Sequence, residues 1–223
     1  MKAVENILLF DTNISAKPIY DYLYNTGNHV YVIGGNPDDS LAKLVKKNYI
    51  NLDYRKIDKV IEVLKSLNIN FIVPGGNDES YRTCAIINEH IPFFNIDPPD
   101  VNKQINDKGK FRLLSKKLGL NIPQLVSVDK IEEFFPVIVK PVDSYSGQGI
   151  TKIDKTNKDE MEKALKKAKR FSKEGNFLIE QFVTGQLFSH SAFVADGKIM
   201  IDFFVEEYCT KNPYAVNTSF VSN

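Results

Sequence analysis

The stretch FPVIVKPVDSYSGQGITKID, residues 135–154, decides how this chain is read. Val137, Ile138 and Val139 form a β-branched apolar run of strand type. Lys140 follows at once, and a Ser/Gly loop then runs to a second strand that begins at Ile150. A strand that delivers an ammonium group to the edge of a loop has two readings. In the first, Lys140 closes a strand beside an ordinary hairpin turn. In the second, Gly147 and Gly149 permit positive φ and close backbone approach. The N–H groups of the loop then form an anion-binding hollow, and Lys140 gives a phosphate group a positional charge.

The composition sets few limits on that choice. The chain has 223 residues, 43% hydrophobic and 26% charged, which is ordinary for a globular protein with a sizeable core. A net charge of +1 gives no global field toward nucleic acid or an anionic membrane, so neither is expected as a partner and any anion needs a local site. Cys84 and Cys209 make no CxxC pair, which argues for a reduced compartment. His29, His90 and His190 are scattered without metal-ligand spacing. The run NILLF (6–10) is too short for a secretion signal, and no apolar run approaches the ~20 residues that span a bilayer. The expected location is cytoplasmic.

Upstream of the deciding stretch, strands and helices alternate. NILLF (6–10), HVYVIGG (29–35), YINLD (49–53) and NFIVPGG (70–76) read as strands. Helices are expected over 16–26, near 38–47 with Asp38 or Asp39 as cap, along the Ile57, Val60, Ile61, Leu64 face, and over 78–89, which leads to IPFFNI (91–96). This alternation predicts an α/β unit with a parallel sheet covered on both faces. It ends near DPPD (97–100), where paired prolines are expected to break regular structure.

The remainder is α+β. A helix is expected over about 107–118, then the FPVIVKP and GITKID strands, a helix over 158–173 and a strand FLIEQF (177–182). A hairpin follows, turned at Asp196-Gly197. There is no G-x-x-x-x-G-K-[ST] phosphate loop. The glycine loop lies between two strands and FDTNISAKP (10–18) lacks G-x-G-x-x-G, so a dinucleotide fingerprint is not supported.

The order of features carries a resemblance. NDKGKFRLLSKKLGLNIP (106–123) opens a helix with Lys108, 32 residues before Lys140. FPVIVKP, the Ser/Gly loop, a charged helix, FLIEQF and VTGQLFS follow. This arrangement resembles the ATP-grasp superfamily over essentially the whole chain from residue 6 to about 205. VIEVLKSLNINFIVPGGNDES (60–80) looks like the Rossmann-like pre-ATP-grasp domain of carbamoyl-phosphate-synthase-like and purine-biosynthetic members. The resemblance implies a pre-ATP-grasp domain over 1–100. It also implies an ATP-grasp N-terminal subdomain over 101–183 and the start of a C-terminal subdomain over 184–223.

The same resemblance implies roles for matching positions. Lys108 and Lys140 look like the two phosphate-contacting lysines. Ser146, Gly147, Gln148 and Gly149 sit where the glycine-rich flap closes over ATP. Glu180, Gln181 and Val183 match the hinge strand that meets adenine, and exposed strand backbone offers that edge both a donor and an acceptor. Family members typically use ATP to phosphorylate a carboxylate, which an amine or similar nucleophile then attacks. There are two departures. TGQLF (184–188) has Leu187 where the family often places a ribose-binding glutamate, leaving Gln186 or His190 as substitutes. The Mg2+ ligands expected of the family find no match, and Glu206 and Glu207 give no basis for that role. The chain is therefore expected to hold the phosphate-lysine side of a nucleotide site and to lack most of the opposite wall. It reads as part of an ATP-dependent ligase, active as a longer protein or with a complementing chain, as a non-catalytic nucleotide-binding or interaction module, or as a truncated fragment without activity of its own; a complementing chain or a homo-oligomer is the expected protein partner. The small-molecule acceptor is not legible.

Other features read more simply. The basic helix at 158–173 has apolar residues on one stripe and lysines on the other, as a solvated surface helix does. PGGNDES (74–80) is either a plain turn with Asp78 as cap or an anion site at a helix N-terminus. Cys84 reads as core. CTKNPYAVNTS (209–219) reads as a loop without support of its own.

Overall fold

The computed structural model describes residues 3–93 and 95–221. The chain divides into two compact units, Met1–Asn106 and Asp107–Asn223.

Unit one contains β1 (Asn6–Phe10), α1 (Lys17–Asn25), β2 (His29–Gly34), α2 (Ser40–Val45), β3 (Tyr49–Asn51), α3 (Ile57–Ser66), β4 (Phe71–Pro74), α4 (Asp78–His90) and α5 (Pro99–Asn106). The strands make one sheet in the order β3-β2-β1-β4, every pairing parallel. Alternation along β1 and β2 explains why both faces are covered. Leu8, Phe10 and Ile33 point to one side and pack with Val60, Leu64, Cys84 and Ile87 of α3 and α4. Leu9, Val30 and Val32 point to the other and pack with Ala16 and Leu41. Each fully buried Val, Leu, Ile or Phe side chain among them contributes about 1.5–3 kcal/mol.

Three sequence expectations change here. The pair Pro98-Pro99 does not break the chain: Pro99 is the first residue of α5, where its missing N–H costs no helical hydrogen bond. The cap of α4 is Asn77, whose side chain accepts the Ser80 N–H, and not Asp78, which is inside the first turn. Asp39 sits at the N-cap of α2 without capping it, because its carboxylate accepts from Thr12 Oγ1 (2.5 Å) and Asn36 Nδ2 (2.6 Å). Of the run 91–96, Phe94 lies outside the described residues, and the others form no strand.

Unit two contains α6 (Lys108–Lys117), β5 (Val137–Pro141), β6 (Thr151–Ile153), α7 (Lys158–Phe171), β7 (Phe177–Gln181), β8 (Leu187–Ala195), β9 (Lys198–Tyr208) and β10 (Thr218–Val221). Two antiparallel sheets result, β6-β5-β7 and β10-β9-β8. The whole is mixed α/β. Val137 and Val139 of β5, Ile153 and Ile179 make a core with Ala164 and Ala168 of α7, whose lysines lie on its outer side. The hairpin turns at Asp196 (φ 51°) and Gly197 (φ 70°), the conformation that a two-residue turn between twisted strands favours. The segment 209–219 is not an unsupported loop: β10 pairs with β9, and Tyr214 Oη accepts the Lys152 N–H at 3.1 Å.

Candidate functional site

β5 is buried on alternate residues. Val137, Val139 and Pro141 face the α7 side, so Ile138 and Lys140 face the other. Across the ladder Ile138 pairs with Glu180 and Lys140 with Leu178, which puts Lys140 and Glu180 diagonally adjacent on one face. Glu180 is 1% exposed. Its carboxylate accepts from the Lys140 ammonium on one oxygen and from Arg112 Nε on the other. Two cations share one buried carboxylate, and the local balance is positive.

Arg112 arrives on α6, four residues after Lys108, so both basic side chains occupy one side of that helix. Asp107 caps α6 by accepting the Lys110 N–H at 2.8 Å. The Lys108 N–H donates to Val142 O at 3.1 Å, and its ammonium donates to the Ser144 carbonyl. Lys108 is thus held against the segment that begins two residues after Lys140. Sequence reading missed Arg112. Its signal was the i, i+4 spacing from Lys108, but spacing alone does not reveal that the partner of both Arg112 and Lys140 is the buried Glu180.

The loop after β5 is tied at its ends. Asp143 Oδ2 accepts the N–H groups of Lys173 (2.9 Å) and Glu174 (3.2 Å), and Lys167 Nζ donates to Ile150 O at 2.9 Å. Between these ties, the Gln148 N–H donates to Tyr145 O and Ser144 Oγ to Gln148 O. Ser146, Gly147 and Gly149 have φ of 52°, 71° and 76°, so the turn needs glycine at two places. Space demands it as well. A Cβ on Gly147 would lie 2.7 Å from Tyr214 O, and one on Gly149 would lie 2.6 Å from Phe171 Cβ.

The hinge residues fall at the end of β7. Gln181 donates its N–H to Gln124 O, and Phe182 donates to Pro136 O, one step beyond the last ladder pair Val137–Gln181. Val183 is exposed just beyond. Glu180 offers its side chain to Lys140 and Arg112. The two residues suggested for the ribose are engaged elsewhere: Gln186 Nε2 donates to Glu207 O at 3.3 Å, while His190 Nε2 lies 2.8 Å from Asp202 Oδ2 and its ring stacks on Phe204. Glu207 accepts from Ser189 Oγ, and Glu206 from Tyr208 Oη.

A family of ATP-grasp domains matches residues 133–222, which takes in the loop, the Lys140–Glu180 pair and both sheets. The second unit is of the ATP-grasp type. Solved structures agree at the level of fold. The L-amino acid ligase from Bacillus licheniformis is 16% identical with a TM-score of 0.72, covering 96% of this chain and 53% of its own. The N5-carboxyaminoimidazole synthetase from Staphylococcus aureus, solved with ADP, is 15% identical with a TM-score of 0.77, covering 98% and 58%. The biotin carboxylase domain of the Hydrogenobacter thermophilus 2-oxoglutarate carboxylase, solved with MgADP, ADP and bicarbonate, is 18% identical with a TM-score of 0.69, covering 85% and 47%. The chain therefore spans about half the length of these solved structures. No curated protein matches it in sequence. Among the described residues no helix is long and apolar enough to cross a membrane.

Proposed function

We propose that the ATP-grasp unit binds ATP and serves an ATP-dependent ligase that activates a carboxylate as an acyl phosphate for attack by an amine or similar nucleophile. The observation that carries this reading is the arrangement around the loop 142–150: Lys108 lies against it, Lys140 leads into it, and Ser146, Gly147 and Gly149 take the positive φ that lets backbone approach a ligand closely. Lys108 and Lys140 are assigned to the phosphates, Ser146, Gly147, Gln148 and Gly149 to the flap, and Glu180, Gln181 and Val183 to the adenine end. Within that set Glu180 acts by holding Lys140 and Arg112, and the backbone beyond the β7 pairing faces the base. Bound ATP supplies the phosphoryl group; the protein groups position it and offset its charge.

Among the described residues no group of three or more His, Cys, Asp or Glu side chains could hold a metal ion, and no step is assigned to Mg2+ on this chain. The β8–β9 hairpin exposes a broad apolar surface, with Phe193 and Met200 each 65% exposed and Ile201 66% exposed. A surface of that kind suits coverage by further protein, which supports a ligase assembled from more than these two units.

The test is calorimetric titration of ATP into the chain and into Lys140→Ala. Binding by the parent, weakened about tenfold or more in the variant, supports the reading. Equal affinity in both overturns it.

A further inference from the structure

The buried Glu180 carboxylate has one counter-ion more than pairing requires. Its two oxygens accept from cations on separate elements, Lys140 of β5 and Arg112 in the second turn of α6. Among the described residues neither cation has another acidic partner. One cation would already pair the charge. A second, taken largely out of water, carries a desolvation cost that a purely structural role does not call for.

The two cations differ in what they can do next. Their side chains are similarly covered, 19% exposed for Arg112 and 16% for Lys140, so burial does not distinguish them. Attachment does. Arg112 sits inside a helix that Asp107 caps and that the Lys108 N–H ties to Val142 O. Its guanidinium is always charged and presents its donors in a rigid fork. Lys140 is next to last in β5, at the entry to the loop 142–150. It offers a point charge on a flexible four-carbon stem.

In this structure the Lys140 ammonium is engaged by Glu180. Phosphate oxygens that draw it away take it from a carboxylate that is 1% exposed. With Lys140 as the sole counter-ion, that step would strand a buried charge, which is strongly unfavourable. With Arg112 on the other oxygen, the carboxylate stays compensated while Lys140 moves.

We infer that Arg112 is a positioning residue for the nucleotide: it holds Glu180 while the Lys140 ammonium turns to the phosphates, and so sets how freely Lys140 can leave. The inference rests on the ATP reading proposed above and adds what that reading needs beneath Lys140. Arg112 acts here without touching the nucleotide. Its effect travels through Glu180 and vanishes when that carboxylate is made neutral.

Calorimetric titration of ATP into the parent chain, Arg112→Met, Glu180→Gln and the double variant tests it. Arg112→Met is expected to bind ATP about tenfold more weakly than the parent, the size of one charge-assisted hydrogen bond that Lys140 no longer gives up. Arg112→Lys keeps a cation for Glu180 and should recover most of that loss. In the Glu180→Gln background, removing Arg112 should leave the affinity unchanged, because a neutral amide does not hold Lys140 back. Equal losses in the two backgrounds overturn the inference, since Arg112 would then act through the fold at large or on the phosphates directly. Equal ATP affinity in the parent and Arg112→Met also overturns it. Where Arg112→Met does not fold, Arg112→Gln takes its place, keeping a donor for Glu180 without the charge. A parent chain that binds no ATP ends the nucleotide reading and this inference together. A parent that binds ATP while the cycle shows no coupling ends this inference alone.

Discussion

Lys140 and Glu180 stand diagonally opposite on adjacent antiparallel strands, and the Glu180 carboxylate is buried between the Lys140 ammonium and the Arg112 guanidinium. The strand-end lysine therefore has a fixed counter-ion beneath it. Removing that counter-ion leaves two partly buried cations uncompensated. Glu180→Ala is expected to lower the unfolding free energy of the ATP-grasp unit by about 3–5 kcal/mol, measured by urea denaturation with a probe in unit two.

Lys140→Ala should behave differently. Glu180 keeps Arg112, so no buried carboxylate is orphaned. The expected outcome is a smaller loss of stability than for Glu180→Ala, with the weakened ATP binding described above. Paired denaturation and titration curves check it. A variant as unstable as Glu180→Ala would place Lys140 with the structural groups only.

The loop has little tolerance at Gly149. An added methyl group there meets Phe171 Cβ and Pro141 Cγ at 2.6 and 2.7 Å, with φ at 76°. Gly149→Ala is expected to cost about 1–3 kcal/mol from the strained conformation and crowding together. Thermal unfolding measures the loss. A neutral effect would show that the loop relaxes away from Phe171.

The two thiols should separate cleanly by reactivity. Cys84 is 0% exposed, and burial pushes its thiol well above the ordinary range. Cys209 is partly exposed. With a chromogenic disulfide reagent at pH 8, one equivalent is expected to react fast and the second only as the protein opens, since the thiolate is the attacking species. Cys84→Ser should remove the slow phase.

Much of the architecture was legible because it rests on local pattern. Apolar runs bounded by Gly, Asn and Asp gave β1, β2 and β4, and helical spacing gave α3 and α7. The losses have separate causes. Pro98-Pro99 signals a break as readily as a helix start, and only the packing of α5 with α4 decides. Asn77 and Asp78 are both good caps, and backbone conformation selects the first. Within the candidate site, the strand-end lysine and the glycine loop could be read directly. The partner of Lys140 could not, because it depends on the register of β5 against β7, which the sequence leaves open. For the same reason nothing in the polar segment 209–219 announced that Tyr214 would close against Gly147.

The central claim is that Lys108 and Lys140 meet a nucleoside triphosphate tail beneath the 144–149 loop. A structure of the chain with ATP tests it most directly. The account predicts phosphate oxygens about 2.7–3.2 Å from both ammonium groups, with Lys108 released from the Ser144 carbonyl and Gly147 over the phosphates. A nucleotide bound elsewhere, with Lys108 still on Ser144, would contradict it.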